Sequence, residues 1–558
     1  MRALPLYALL LGAGFFLVAP VASVVATSFN VAELGRSYSF GFGHWREVFA
    51  EPAMRDALLN TATLSIARQA IGLSLGAMIA WLIARTDLPW RRTLEVGFWI
   101  ALFMPPLPAA LAWVLLLQGS SGLVNRALFE LPFVDAPVFG LYSWWGIVWV
   151  HIMGATLALK VFLLVPAFRA LDSSLEDAAR ASGAGLARTF TKIVLPMMAP
   201  AILAIGLIGL VRSMQAFEVE LILGAPAGID VYSTFIYRAM TREPPEPGLS
   251  SALSVLFILT LAPLVLIQQW YGRRRAHASL TGRARSRRQP LGRAKWPAFA
   301  LVAALLFLMT LAPLGMLLMG TFMHMFGIFD MPNPWTLDNW REALTRGDAL
   351  RALGNTLQLG IAAALCGMIL FTLMAYVVVR SRSRAARLLD LLTWAPVLVP
   401  GVVLSLGLLQ VFTGSSAFRA LYGTIASMTI AVLVSTATVG VQFLKTTMRQ
   451  IGPELEEAGL ASGGSRLYVL RRIVLPLIAP SIAVIGLETF AAANVAVSAV
   501  AFLGVGPTQP LSMLQLNLLN SGQLETAAVV GVVIMSLTIV SALLARWLAD
   551  RQGLETEA

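Results

Sequence analysis

Two carboxylate-bearing segments, 280 residues apart, are the positions in this chain best suited to engaging another surface. Leu175-Glu176-Asp177-Ala178-Ala179-Arg180-Ala181-Ser182-Gly183 returns as Leu455-Glu456-Glu457-Ala458-Gly459-Leu460-Ala461-Ser462-Gly463. Each is followed at the same distance by Ile-Val-Leu-Pro, at Ile193, Val194, Leu195 and Pro196 and again at Ile473, Val474, Leu475 and Pro476. Helical i, i+3, i+7 spacing puts Glu176, Ala179 and Gly183 on one face, and Glu456, Gly459 and Gly463 on its counterpart. Small residues beside a carboxylate permit close approach and a charge-assisted contact. Asp172 or Ser173 can cap the first helix, with Glu176 completing a capping box from Ser173. Gly452-Pro453 opens the second, and Gly183 and Gly463 end both. Helices of two or three turns are expected near 173–185 and 453–465, too short to span a membrane and too polar to insert.

The elements that must hold these loops are apolar. Hydrophobic residues make up 58% of the 558, and charged residues 13%. So little polarity cannot cover a soluble protein of this size, so the chain uses lipid as solvent and is an all-α integral membrane protein. Twelve spans are expected, near 4–28, 58–84, 94–118, 142–168, 197–222, 251–271, 297–323, 353–379, 390–413, 424–447, 477–503 and 524–548. Pro105, Pro106 and Pro108 can break the third, and the ninth shares its Gly- and Pro-bearing character. The first apolar run exceeds a signal-peptide core of roughly 7–15 residues and has a match opening the second half, so it reads as retained. The single cysteine, Cys366, excludes a disulfide framework and reads as a small buried residue.

The net charge of +12 sorts by side rather than into a nucleic-acid stripe. With the N-terminus in the cytoplasm, 28 of the 41 Arg and Lys fall inside, 10 outside and 3 within spans. That bias follows the positive-inside rule and places both termini and both duplicated loops in the cytoplasm. Nine of these residues lie between Arg273 and Lys295, in a basic linker over 272–296 that is expected to stay flexible or to lie on anionic headgroups.

The halves match beyond the loops. His44-Trp45-Arg46-Glu47 recurs as Asn339-Trp340-Arg341-Glu342 and Asn60-Thr61 as Asn355-Thr356, both at an offset of 295, while Leu141-Tyr142 recurs as Leu421-Tyr422 at 280. Two six-span repeats, 1–271 and 297–558, are therefore fused head to tail. An even number of spans gives both the same orientation, related by an axis along the membrane normal with the pore between them. No GxxxxGK[ST] loop and no Gly-Lys pair occurs, so any ATP is bound by another subunit and this chain holds no cofactor. Nor is there a cluster of candidate catalytic residues.

The duplicated pattern resembles the EAA motif of the membrane subunits of bacterial ABC importers: Glu-Ala-Ala, three residues, Gly, nine residues, Ile-x-Leu-Pro. Here it reads Asp177-Ala178-Ala179, Gly183, Ile193 to Pro196, and Glu457-Ala458-Gly459, Gly463, Ile473 to Pro476. Asp replaces Glu in the first copy. Gly replaces the second Ala in the other, weakening that helix by about 1 kcal/mol relative to Ala. The resemblance covers nearly the whole chain and implies a type I importer permease in the bacterial inner membrane. Its coupling helices would dock on two ATP-binding cassette subunits carrying ATP-Mg, and a periplasmic or lipid-anchored binding protein would deliver the solute. No nucleic-acid partner is implied. Gly183→Trp combined with Gly463→Trp is expected to abolish transport with insertion intact.

Fusion of both halves is most similar to the ferric-iron permeases, with thiamine-type permeases as neighbours. The segment Phe217-Glu218-Val219-Glu220 through Arg238 is similar to theirs after span five. The second half departs, with the mainly apolar Val495 to Leu503 where many carry a Lys-Glu-Leu-Pro-like stretch. Phosphonate and polyamine-type solutes stay open. Intramembrane or boundary polar residues are the path candidates: Arg212, Gln215, Glu218, Glu220, Glu488 and Asn494, with Arg68 and Lys160 also in apolar surroundings. Interhelical ion pairs compete equally for each. The four histidines are scattered without metal-ligand spacing, so no tight metal site is expected. An ion-coupled secondary transporter is the distant alternative, and it leaves the duplicated loops unexplained.

Overall fold

A computed structural model describes residues 3–551 apart from 33–35, 120, 133, 135–136, 173, 276–287, 329–330, 346 and 382. The expected Ser173 cap falls outside the described residues. The first half builds α1 (Ala3–Ser28), α2 (Pro52–Arg85), α3 (Arg91–Leu102), α4 (Pro106–Leu117), α5 (Trp144–Arg169), α6 (Ser174–Ala181), α7 (Leu186–Met214), α8 (Tyr232–Thr241) and α9 (Pro247–Arg275). The second builds α10 (Gly292–Thr321), α11 (Gly347–Arg380), α12 (Arg384–Leu392), α13 (Gly401–Gly414), α14 (Ile425–Gln450), α15 (Glu454–Ala461), α16 (Leu467–Asn494), α17 (Leu511–Asn520) and α18 (Leu524–Arg551).

Among the described residues ten helices are long and apolar enough to cross a membrane. The third and ninth expected spans are instead bent pairs, α3–α4 by 103° and α12–α13 by 113°. Pro105 and Pro106 open α4 and Pro400 precedes α13, where a missing N–H and a restricted preceding residue stop a continuous helix. Two ion pairs decide whether the bent pairs cross. Arg85, the last residue of α2, bonds Glu176 in the loop after α5, so α2 and α5 end on one side. Because α5 crosses once, the segment between them must cross too. Arg380 at the end of α11 and Glu456 beyond α14 give the same result for α12–α13. Twelve crossings follow.

The helices gather into two compact units that do not coincide with the sequence halves. One comprises Met1–Pro52, Phe235–Ile258 and Trp340–Ala558, the other Ala53–Thr234 and Leu259–Asn339. In the first unit α1 packs along α12 and α13. Gly407 admits the Pro20 carbonyl, and Ser23 Oγ donates to Gln410 Oε1 at 3.0 Å. In the second unit α10 lies on α3 and α4, with Leu306 over Gly97 and Leu115 against Gly320. The opening span of each sequence repeat is thus built into the unit formed mainly by the other repeat.

The linker expectation is corrected at both ends. Helix α9 runs on to Arg275, and the strap from Arg288 to Lys295 is fixed to the second unit rather than loose. Gln289 N–H donates to the Arg85 carbonyl at 2.8 Å, and Asp87 N–H donates to the Gln289 carbonyl at 3.1 Å.

Candidate functional site

Each short loop helix ends as its glycine requires. Ala184 N–H donates to Ala179 O at 2.9 Å and Gly183 N–H to Arg180 O at 2.9 Å, with Gly183 at φ +81°. Gly464 N–H to Gly459 O at 3.1 Å and Gly463 N–H to Leu460 O at 3.0 Å repeat the closure, with Gly463 at φ +85°. This is the left-handed cap that glycine adopts without strain. Both glycines are exposed with open space around them, so bulk there would strain the turn as well as obstruct a partner. The following helices each widen into a π turn after their first α turn, at Phe190–Val194 and Leu470–Val474, just ahead of Pro196 and Pro476. A proline ring crowds the carbonyl four residues back and offers it no N–H, and the wider turn accommodates both facts.

The glutamates shared by the two copies face inward, which corrects the expectation that they border the exposed face. Glu176 is only 2% exposed, although Leu175 beside it is 52% exposed. Arg85 Nη2 reaches Glu176 Oε1 at 3.0 Å, while its Nη1 donates to the Leu171 carbonyl at 3.0 Å. Glu456 is likewise buried, and Arg380 Nε donates to its Oε1 at 2.6 Å while Nη2 donates to the Ile451 carbonyl at 3.0 Å. Each carboxylate therefore pins its helix to the end of a long span. What stays outward is Leu175, Ala178, Ser182 and Gly183 in one copy and Leu455, Ala458, Ser462 and Gly463 in the other. Glu457 is exposed and Asp177 partly so, leaving a matched carboxylate in each copy at the outer edge. Gly459 has a packing reason: a Cβ there would stand 2.7 Å from Ile473 Cδ1 and 3.0 Å from Val469 Cγ2. Ile193, Leu195, Ile473 and Leu475 are partly buried, whereas Pro196 and Pro476 are exposed at the start of the returning span.

The path candidates separate. Glu220 is fully buried in an ion cluster, bonded to Arg68 Nη1 and, at 2.9 Å, to His151 Nε2. Arg68 Nη2 also donates to the Ser213 carbonyl at 2.9 Å, tying α2 to the last turn of α7. The interhelical ion pair that competed with the path reading is what the structure contains at Glu220. Arg68 stands out in the sequence as a charge in apolar surroundings, but nothing in the spacing signals Glu220 or His151 as its neighbours. Arg212 is exposed on α7, and Gln215 and Glu218 are partly buried beyond it. Glu488 is partly buried on α16, and Asn494 ends that helix fully buried, with no hydrogen-bond partner for its amide among the described residues. Lys160 is buried too: its Nζ donates to Thr156 O at 2.9 Å, and its stem fills the space left by Gly72 and Gly76.

Two like sets of crossings, each carrying a polar loop helix held by a matching arginine–glutamate pair, define a multi-pass membrane transport subunit of the permease class. The family of binding-protein-dependent transport system inner membrane components matches the chain twice, over residues 72–277 and 367–553, and the chain belongs to it. A probable ABC transporter permease protein, y4fN, of Sinorhizobium fredii is 28% identical over 84% of this chain and 81% of its own length. The ferric transport system permease protein FbpB of Actinobacillus pleuropneumoniae is 26% identical over 80% of this chain, a match that spans 64% of that relative. The molybdenum transport system permease protein ModB of Escherichia coli is 27% identical over 40% of this chain and 96% of its own length.

Proposed function

We propose that this chain forms the whole membrane path of an ATP-driven importer, with α6 and α15 as its two coupling helices, each docking on a separate ATP-binding cassette subunit in the cytoplasm. The observation that carries the reading is the matched outer face of the two loop helices, Leu175, Ala178 and Ser182 against Leu455, Ala458 and Ser462, on supports fixed by buried arginine–glutamate pairs. A rigid helix with a small-residue face transmits a push to the spans on either side of it. Asp177 and Glu457 would add charge-assisted contacts at the rim. Both termini lie in the cytoplasm, and a binding protein delivers solute to the opposite face. In this reading ATP-Mg is held by the partner subunits alone.

Ala178→Trp combined with Ala458→Trp is expected to abolish uptake at unchanged membrane abundance, since both positions are exposed and neither needs glycine's backbone. Normal uptake in that variant overturns the coupling assignment. Ferric iron is the solute favoured by the FbpB resemblance and by the fused architecture. Uptake of radiolabelled ferric iron in a deletion strain and its complemented parent, with labelled thiamine alongside, tests this. Loss of iron uptake alone establishes iron, and retained iron uptake transfers the assignment to thiamine, molybdate, phosphonate or polyamine-type solutes.

A further inference from the structure

The linker between the repeats contributes a side chain to the first loop helix. Glu176 has two carboxylate oxygens in a fully buried setting. Arg85 takes Oε1, through Nη2 at 3.0 Å and Nε at 3.2 Å. The other oxygen accepts from the Gln289 side-chain amide, and Gln289 is itself 2% exposed. Gln289 cannot swing away freely, because its backbone is stitched to Arg85 and Asp87 in a single β-bridge with Thr86. Two residues further on, Leu291 N–H donates to Asp87 Oδ1 at 2.8 Å, and Lys295 Nζ lies 3.2 Å from Asp87 Oδ2. The strap is thus anchored at the residue that reaches the carboxylate and again at Leu291 and Lys295 beyond it.

The second repeat fills the same role from within. There Glu456 Oε2 accepts from Tyr376 Oη at 3.3 Å, and Tyr376 belongs to α11, the span that also supplies Arg380. At the offset of 295 the residue corresponding to Tyr376 is Trp81. Trp81 carries an indole N–H in place of the hydroxyl, but that N–H is buried without a hydrogen-bond partner among the described residues, and the ring lies tilted against Phe190 with centroids 4.7 Å apart. Among the described residues no donor from the first repeat reaches the second oxygen, and a buried carboxylate oxygen left without a donor is costly. Gln289 supplies it.

We infer that Gln289 is a positioning residue for the first coupling helix: acting through Glu176, it sets the seat of α6, so that the inter-repeat strap, and not the first repeat alone, determines how that helix is presented to its ATPase. The inference rests on the coupling reading above for its consequence in transport, though not for the positioning itself. It makes the two coupling sites unequal in construction, one completed by the linker and one self-contained.

The test uses the full-length chain with Cys366→Ser and a nitroxide label at Ala178→Cys on α6 or at Ala458→Cys on α15. Gln289→Ala is expected to increase label mobility at 178 and leave 458 unchanged, at normal membrane abundance. Gln289→Asn, whose amide is one methylene shorter, should fall between. Unchanged mobility at 178 overturns the inference, and so does an equal rise at both positions, which reports general loosening. Adding the ATP-binding subunits to the unlabelled, Gln289-intact protein distinguishes the two readings. Co-purification that is lost in the Ala178→Trp, Ala458→Trp variant supports docking there, after which Gln289→Ala should raise the ATP hydrolysed per solute taken up severalfold. Co-purification unchanged by that variant removes the coupling assignment while the mobility result still decides the positioning.

Discussion

The first repeat holds Arg68, His151 and Glu220 together in its interior, whereas the second has Ala363, Val432 and Val500 at the corresponding places, all buried. The correspondence follows the offset of 295 for α2 and α11, and of 280 for the segment leading to Gly224 and Gly504. For His151 it follows the aligned caps Ser143 and Thr424, since a π turn at Ile152–Thr156 adds one residue to α5 that α14 lacks. A second pair of positions has exchanged bulk: Gly76 receives Lys160 in one repeat, and Phe371 fills the space beside Gly440 in the other. At the loop-helix end the arginine anchor shows no such drift, and only the donor to the second carboxylate oxygen differs. Arg85 with Glu176 and the Leu171 carbonyl match Arg380 with Glu456 and the Ile451 carbonyl, group for group. An interior needs only filled volume and balanced charge, so whole sets can be replaced together. Under the proposed coupling role the two loop helices meet the same kind of partner, and such a surface must keep its geometry.

The comparison breaks most visibly if one member of the charged set is removed alone. Arg68→Ala leaves Glu220 buried without its main counter-charge and should cost about 3–5 kcal/mol, read as unfolding in detergent. Making the set apolar as the second repeat does, but with methionine keeping the bulk of Arg68, in Arg68→Met, His151→Val and Glu220→Val should recover most of that loss, to within about 1–2 kcal/mol of the parent, because a buried ion set is often replaceable by apolar groups of similar volume. A triple variant as unstable as the single one would mean that the cluster has a duty beyond balance.

At the conserved end the two anchors should differ only in degree. Glu176→Ala strands a fully buried Arg85 and should cost about 3 kcal/mol. Glu456→Ala should cost about 1–2 kcal/mol, since the Arg380 side chain is 20% exposed and keeps two carbonyl partners and access to water. Equal losses in the same unfolding assay would contradict the ordering by burial.

Much of this was legible in the sequence because it is periodic or repeated. Apolar runs of span length, the glycine stops and the Ile-Val-Leu-Pro returns each have a local physical cause, and their duplication fixed the architecture. The inward turn of Glu176 and Glu456 was not legible, because i, i+3, i+7 spacing assigns residues to a face without saying which face is outward. Arg85 and Arg380, which decide that, lie 91 and 76 residues away. The exchange of opening spans and the seating of Gln289 are likewise contacts between distant segments. A polar, basic stretch with no periodicity reads as linker whether or not one of its residues is buried.

The glycine caps offer a smaller test that separates backbone from docking. Gly183→Ala and Gly463→Ala should each cost about 1–2 kcal/mol in the stability of the short helix, because a Cβ is strained at positive φ even in open space. Gly185→Ala is the control: its φ of −71° suits any residue and nothing crowds it, so amide hydrogen exchange over α6 should be unchanged. Protection lost equally in Gly185→Ala would indicate that space rather than conformation governs the turn.

The smallest effect belongs to the strap, which the second repeat lacks. The Leu291 amide first, and then the Lys295 ammonium, hold the Asp87 carboxyl below its ordinary range against the opposing effect of burial. A depressed folded-state pKa adds stability that is present above the unfolded value of about 3.9 and is lost as pH falls through the folded value. The strap should therefore stay seated across the neutral range and loosen only in acid below that point. Asp87→Asn keeps an acceptor for Leu291 and removes the charge, so it should cost about 0.5 kcal/mol or less at neutral pH, as exposed pairs do. Exchange of the Leu291 amide measures it. In the parent, protection should fall only on acidification past the unfolded value, and in Asp87→Asn that acid step should be absent. An Asp87→Asn protein that retains the full acid step would show that another group, not this carboxylate, fastens the strap beside Gln289.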